Sequence, residues 1–340
     1  MKNNKILFAI IGLGKIGLRH KHIIDNNANF ELVAIIDLLE KNLVNKHNNT
    51  IPFFYDLKSF FKSKIEVDII VISTPNGLHA TQALESLENN CHVLVEKPMT
   101  LIKQDAENII SKSIKVNKNV FVVMQNRYSP PSAWIKEVVE QKILGEIYLV
   151  QLNCFWNRDE RYYEGHSWHG SKELDGGTLY TQFSHFIDMI YWLFGDIKNI
   201  KSKFKNFNHI NKIDFEDTGL INFDFYNGGS GSMSYSTSVR DENLESSLTI
   251  IAENGTVKIG GQYMDKVEYC NIKDYVMPTL TKSNPPNDYG DYKGSAQNHH
   301  YVYENILEVL KNNTEIKTNA LEGLKVTEII QNIYNTKNYD

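Results

Sequence analysis

Gly12-Leu13-Gly14-Lys15-Ile16-Gly17 sets three glycines in the pattern G-x-G-x-x-G, directly after an apolar run and directly before a stretch of helical spacing. Each glycine has a separate use. Gly12 permits a tight turn, Gly14 lets a pyrophosphate approach the backbone, and Gly17 lets helix and strand pack closely. The helix that starts at Lys15 and Ile16 then offers N–H groups and the positive end of its dipole to phosphates. A glycine-rich turn alone is weak evidence, and its context makes it specific. Asp37 closes the following strand, twenty residues beyond Gly17 (37 − 17). A carboxylate there grips the ribose hydroxyls of a dinucleotide and repels a 2′-phosphate, so NAD is expected over NADP.

Other strand ends in the same region carry unusual residues. Ligands of open α/β sheets lie at the carboxyl ends of the strands. One strand ends in Ser73-Thr74-Pro75-Asn76, with His79 in the next turn. Another ends in Glu96-Lys97-Pro98, and a third in Gln125-Asn126-Arg127-Tyr128. Thr74, Pro75, Asn76, His79, Glu96, Lys97 and Gln125 are therefore expected beside the cofactor. Lys97 is the most informative of these. A lysine behind the apolar strand residues Val93, Leu94 and Val95, fixed by a proline, points into the ligand crevice and not onto a solvated face.

The elements that must position these residues follow from periodicity. Lys5–Ile11, Leu32–Asp37, Val67–Ser73, His92–Glu96 and Val120–Gln125 read as strands, with helices over Ile16–Asn26, Leu78–Glu88 and Leu101–Val116, the last capped by Thr100. Continuous Val/Ile/Leu strands separated by helices describe a parallel sheet covered on both faces. After Pro130-Pro131 the pattern changes. A helix over Ser132–Gln141 and a strand over Ile147–Asn153 precede one strong helix, in which Phe183, Ile187, Ile190 and Phe194 share a face. Residues 200–259 read as strands and hairpins, with turns at Asn227-Gly228-Gly229 and Asn254-Gly255. Residues 274–297 read as a polar loop, and helices over Asn298–Lys311 and Ala320–Asn335 close the chain. The expectation is an α/β protein: a dinucleotide-binding domain over 1–126 and a second domain over 127–340.

Composition limits the partners. A chain of 340 residues exceeds one hydrophobic core, and 41% hydrophobic with 23% charged residues is ordinary for a globular protein. A net charge of −5 argues against nucleic acid or an anionic membrane as the main partner. Cys91, Cys154 and Cys270 are too few and too far apart for a disulfide framework or a zinc site, and read as reduced thiols of a cytoplasm. The apolar run after Lys5 is short and broken by glycines, which excludes a secretion signal, and no run reaches the length of a membrane span.

The glycine fingerprint, Thr74-Pro75-Asn76 with His79, and Glu96-Lys97-Pro98 together resemble the glucose–fructose oxidoreductase and inositol dehydrogenase (Gfo/Idh/MocA) family. The resemblance continues at Gly145-Glu146-Ile147, at Asp175-Gly176-Gly177-Thr178-Leu179, at His185, Asp188, Trp192 and Gly195, and at Asn298-His299-His300. It implies an N-terminal Rossmann domain and a C-terminal α/β domain whose open, mostly antiparallel sheet supports a homodimer or homotetramer. It also implies that Lys97 and His185 meet the reacting sugar carbon. Many members carry Asp four residues before this His, where this chain has Thr181. Asp188 is expected to be structural.

Oxidising an alcohol needs a base for the hydroxyl proton and a positive group near the developing alkoxide. Lys97 and His185 fill these roles, and which of them takes the proton stays open. The segment from Phe155 to Tyr163 combines aromatics with Arg158 and Arg161, and Ser167-Trp168-His169-Gly170 and Lys172 follow it. Aromatics suit sugar and uracil faces, and Arg suits phosphate or carboxylate. Arg127, Tyr128, Arg158, Arg161, Trp168, Lys172, Thr181 and His185 are the substrate-side candidates. Gln125-x-Arg127-x-x-Pro130 with the S-W-x-G run is similar to the UDP-N-acetylglucosaminuronate 3-dehydrogenase branch of surface-polysaccharide synthesis. The expected activity is NAD-dependent, metal-independent oxidation at C3 of such a nucleotide sugar. The alternatives are a dehydrogenase of a free sugar or polyol such as an inositol, and an NAD-binding redox sensor. Alternation over Leu220–Phe225 predicts an apolar sheet face of Ile221, Phe223 and Phe225 that a second copy would bury.

Overall fold

The computed structural model describes residues 5–39, 51–164, 168–290 and 292–336. The chain divides into two compact units, Met1–Val123 with His299–Thr327, and Met124–Asn298 with Glu328–Asp340. The sequence reading ended the first domain at 126 and assigned everything beyond it to the second. The first unit instead also takes up a later segment, which supplies apolar surface to its own core.

In the first unit the described strands are β1 (Ile6–Ile11), β2 (Phe30–Ile36), β3 (Phe53–Phe54), β4 (Ile69–Ile72), β5 (His92–Val95) and β6 (Val120–Val122). They form one parallel sheet in the order β3-β2-β1-β4-β5-β6, which is the doubly wound dinucleotide-binding order. Helices α1 (Lys15–Asp25), α2 (Leu57–Lys62), α3 (His79–Glu88) and α4 (Lys103–Val116) belong to the same unit. Every residue of β4 is fully buried, as a central parallel strand covered on both faces requires. Fully removing each such Ile or Val from water contributes about 1.5–3 kcal/mol. Tyr303, from the later segment, packs on Phe8 and Phe30 with ring centroids at 5.5 and 5.8 Å. Thr100 does not cap α4. The cap position is Ile102, and the Thr100 hydroxyl donates to the Ile102 carbonyl at 3.0 Å.

The second unit begins with a one-turn 3-10 helix over Gln125–Tyr128 and helix α5 (Pro130–Glu140). Its sheet comprises β7 (Ile147–Phe155), β8 (Ile197–Lys205), β9 (Thr218–Phe225), β10 (Ser230–Ser236), β11 (Glu245–Ala252), β12 (Gly255–Gly260) and β13 (Lys266–Ile272). Their order is β13-β12-β11-β7-β10-β9-β8, antiparallel except where β10 runs parallel to β7. Short helices α6 (Glu160–Tyr163) and α7 (Thr178–Thr181) lead to α8 (Ser184–Phe194). The segment read as a polar loop contains a small antiparallel ladder of β14 (Pro286–Asp288) and β15 (Lys293–Ala296), too short and too polar for period-two alternation to reveal. Helices α9 (His299–Asn312) and α10 (Ala320–Asn335) end the described chain.

One expectation about this sheet needs correction. Ile221, Phe223 and Phe225 do form an apolar face, but the unit buries it itself. Phe225 meets Phe194 of α8 at 5.2 Å between centroids, and Tyr235 meets Phe183 at 5.3 Å. That face therefore does not call for a second copy.

Candidate active site

In the first unit the glycine loop has the shape its sequence implies. Gly12 has φ +87°, and a Cβ there would meet the Ser73 carbonyl oxygen at 2.7 Å. A Cβ on Gly17 would stand 2.0 Å from the Gly12 oxygen, whereas one on Gly14 would have nothing within 4 Å. The loop is thus closed against side chains where helix and strand pack, and open where a pyrophosphate approaches. No side chain caps α1 at Gly14, and a helix N-terminus of this kind favours phosphate. Asp37 follows β2. Its Oδ2 accepts from Leu13 N at 2.5 Å and its Oδ1 from Leu39 N at 2.8 Å. Each oxygen keeps a further lone pair for a ribose hydroxyl. These residues fit a dinucleotide.

Asp37→Ala is expected to narrow the preference for NAD over NADP. It should also weaken both, because the glycine loop loses its tie at Leu13. Titrating both cofactors into both proteins checks this, and equal affinities in the unmutated protein would contradict it.

The other strand-end residues act on one another more than the sequence suggested. His79 is buried, with Nδ1 2.8 Å from the Pro98 carbonyl oxygen and Nε2 2.9 Å from that of Thr74. Burial pushes its pKa down, against those two carbonyls. His79 thereby joins the Thr74-Pro75-Asn76 turn to the segment after Lys97, so its ring supports the site from within. The Thr74 hydroxyl donates to Gln82 Oε1 at 2.6 Å, and Asn76 is buried.

Glu96 is also turned inward. Its Oε1 lies 3.0 Å from His20 Nε2 on α1 and 3.5 Å from His299 Nε2 on α9, and its Oε2 accepts from Lys97 N at 3.2 Å. His20 Nδ1 lies 2.9 Å from the Tyr303 hydroxyl. Burial works to raise the Glu96 pKa, and the hydrogen bond from His20 with the nearby His299 overcomes it and holds the carboxyl well below its usual range. The cluster fixes the backbone that presents Lys97, which is half-buried. Sequence reasoning missed His20 and Tyr303. The only available signal was His20 standing on α1 just beyond the fingerprint.

In the second unit the predicted residues fall into two groups. Gln125 and His185 are brought together: their Nε2 atoms are 3.1 Å apart, and both side chains are buried. His185 sits in the first turn of α8. Arg127, in the same turn as Gln125, places Nε 2.8 Å and Nη2 2.5 Å from the two oxygens of Asp188. These side chains are only 4% and 1% exposed, and Arg127 also lies over the Trp192 ring at 5.2 Å. Arg127 is thus half of a buried ion pair with Asp188. Asp188 has the structural role expected of it.

Arg158 is also held within its own unit. It is 2% exposed. Its Nε donates to Gln182 Oε1 at 2.7 Å and its Nη1 to the Asn157 carbonyl at 2.6 Å. The guanidinium lies among the Trp156, Tyr162 and Tyr292 rings at 4.8, 5.2 and 5.0 Å. A cation inside such an aromatic cage holds the interior together. Thr181 donates to the Asp175 carbonyl at 3.0 Å and to the Asp175 carboxylate, so its hydroxyl serves the Asp175-Gly176-Gly177 turn. Arg161 stays on the surface, bound to Asp159. Lys172 is exposed, Tyr128 and Trp168 are half-buried, and Ser167 lies outside the described residues.

A parallel sheet of this order with this glycine loop and carboxylate defines an NAD-binding oxidoreductase. Residues 6–124 match the model of the oxidoreductase family with NAD-binding Rossmann fold, and residues 133–258 match that of the GFO/IDH/MocA C-terminal domain. The chain belongs to the Gfo/Idh/MocA family, and its cofactor is NAD. It is 30% identical to the WlbA dehydrogenase of Bordetella pertussis, over 98% of this chain and 96% of that one, with a TM-score of 0.86. It is 28% identical to the WlbA dehydrogenase of Chromobacterium violaceum, over 99% and 94%, again with a TM-score of 0.86. Both were solved in complex with NADH and UDP-GlcNAcA. An uncharacterized oxidoreductase of Synechocystis is 25% identical over 287 residues, 81% of this chain and 75% of that one. No helix among the described residues is long and apolar enough to cross a membrane.

Proposed function

We propose that the protein oxidises a sugar hydroxyl, at C3 of a UDP-N-acetylglucosamine or UDP-N-acetylglucosaminuronate, in the synthesis of a surface polysaccharide. The observation that carries this reading is the full-length likeness to two dehydrogenases that hold a nucleotide sugar. NAD supplies a hydride acceptor when bound. The chain's own residues supply the rest. The Lys97 ammonium polarises the hydroxyl and stabilises the alkoxide, and His185 receives the proton. Burial of His185 keeps water from competing for its lone pair. Trp168, Tyr128, Arg161 and Lys172 are the remaining substrate-side candidates.

One observation favours a free sugar or polyol instead. Arg127 and Arg158, the guanidinium groups expected to meet phosphate, are both committed to internal partners. A panel of UDP-sugars and polyols, scored by NADH formation, separates the two. NADH from a UDP-sugar alone supports the nucleotide-sugar reading. NADH from inositol or a free hexose alone replaces it, and NADH from none of them moves the protein towards a redox sensor.

The assembly implied by the family is a homodimer or homotetramer, and we place its contact on the outer face of the second sheet. Leu149, Leu220 and Ile251 are 40%, 52% and 40% exposed there, with Leu149 opposite Ile251 across the β7–β11 pair. Light scattering at micromolar concentration is expected to give a dimer or tetramer mass, and a monomer would contradict this placement.

A further inference from the structure

The contact between Gln125 and His185 has no place in the sequence reading, which set Gln125 beside the cofactor. Gln125 opens the one-turn helix at the start of the second unit, and His185 opens α8. Both are 3% exposed, so a hydrogen bond between them is little weakened by competing water. The two atoms in contact are nitrogens, 3.1 Å apart. With the amide N–H turned to the ring, Nε2 presents its lone pair and the neutral ring carries its proton on Nδ1. Nε2 is then the basic atom. A primary amide is unusual among polar side chains because a half-turn about its last bond exchanges donor for acceptor. It can therefore serve the imidazole in both charge states. Thr181, four residues before His185, bears a hydroxyl that donates to Asp175.

We infer that Gln125 is a positioning residue for the proton acceptor: its side-chain amide fixes the tautomer and aim of His185, donating to Nε2 of the neutral ring and accepting from Nε2 after the ring is protonated. The inference rests on the proposed role of His185. In the neutral state the amide N–H occupies the Nε2 lone pair. The substrate hydroxyl displaces it, the O–H bond breaks, and an N–H bond forms at Nε2. Nδ1 keeps its own proton, so the ring gains one positive charge. The Gln125 oxygen then accepts from Nε2–H until the proton passes to water. A carboxylate at position 125 would favour the charged ring and so would lower the share of His185 able to accept a proton at neutral pH.

The test compares the full-length protein with Gln125→Glu, Gln125→Met and His185→Ala. Three quantities are read: the pH profile of turnover, NAD affinity, and the His185 titration and tautomer followed by nitrogen NMR on histidine-labelled protein. Gln125→Glu is expected to raise the His185 pKa by about one unit or more and to move the acid limb of the turnover profile up with it. Gln125→Met, of similar length and no hydrogen-bonding amide, is expected to lower turnover about tenfold or more and to mix the two tautomers. NAD affinity should stay within about twofold in both. An unmoved His185 titration in Gln125→Glu together with the wild-type tautomer in Gln125→Met would overturn the inference. So would a loss of NAD affinity with turnover at saturating NAD intact, which would return Gln125 to the cofactor. If His185→Ala keeps full turnover and the wild-type profile, the catalytic reading of His185 fails. The NMR titration, which needs no turnover, still decides whether Gln125 controls the ring.

Discussion

Lys97→Ala and His185→Ala are each expected to lower turnover about 10²–10⁴-fold, the usual cost of removing a positioned acid or base, while NAD binding measured by calorimetry stays close to that of the unmutated protein. The glycine loop and Asp37 remain intact in both variants, so the cofactor keeps its main contacts. The two substitutions should differ in pH dependence. Without His185 the acid limb of the profile should disappear, because the group that must be neutral is gone. Without Lys97 that limb should remain and turnover should be low throughout, because the alkoxide has lost its positive neighbour. Near-normal turnover of His185→Ala across pH would make His185 structural and Lys97, or a water, the base. Lys97→Ala could also loosen its strand end, so NAD binding must be measured on the same preparation. The Glu96 cluster guards against that outcome, since it holds the backbone at Lys97 N independently of the lysine side chain.

Asp188→Ala is expected to destabilise the second unit by about 3–5 kcal/mol, since it leaves the buried Arg127 guanidinium without its carboxylate. Arg127→Met should cost a similar amount by stranding Asp188. Replacing both, as Arg127→Met with Asp188→Leu, should recover most of the loss, because an apolar pair of comparable volume avoids the desolvation of both charges. Thermal unfolding of the four proteins provides the cycle. An unchanged melting temperature in Arg127→Met with a large rise in substrate KM would contradict the structural role and restore Arg127 to the substrate.

The first unit was largely legible in the sequence because its signals are local. Buried parallel strands appear as unbroken apolar runs, as at Ile69–Ile72, and the fingerprint must lie between a strand and a helix to work at all. Shorter pieces left weaker traces. Strand β3 is two residues long and α2 only six, both too short for periodicity to reveal. The return of His299–Thr327 to the first unit depends on contacts far apart in sequence, such as Tyr303 with Phe8, which no periodicity reports.

The site residues divide in the same way. Gly12, Gly14 and Asp37 were readable because a backbone approach and a strand end dictate their types. The arginines were ambiguous. An Arg in an aromatic segment has the same local appearance whether it meets a phosphate or fills a cage, and only the fold shows Arg158 enclosed by Trp156, Tyr162 and Tyr292. Arg127 and Asp188 are 61 positions apart, so neither discloses the other. Glu96 and Gln125 stand at strand ends, where ligands gather, yet their side chains turn to His20 and His185.

The central claim is that this chain removes a hydride from C3 of a UDP-sugar and delivers it to NAD. The most direct test incubates the protein and NAD with UDP-N-acetylglucosaminuronate carrying deuterium at C3 and weighs the NADH formed. The account predicts NADH that carries the deuterium, formed more slowly than from unlabelled sugar. Unlabelled NADH would place the oxidation at another carbon, and no NADH from this sugar while a polyol yields it would contradict the nucleotide-sugar assignment.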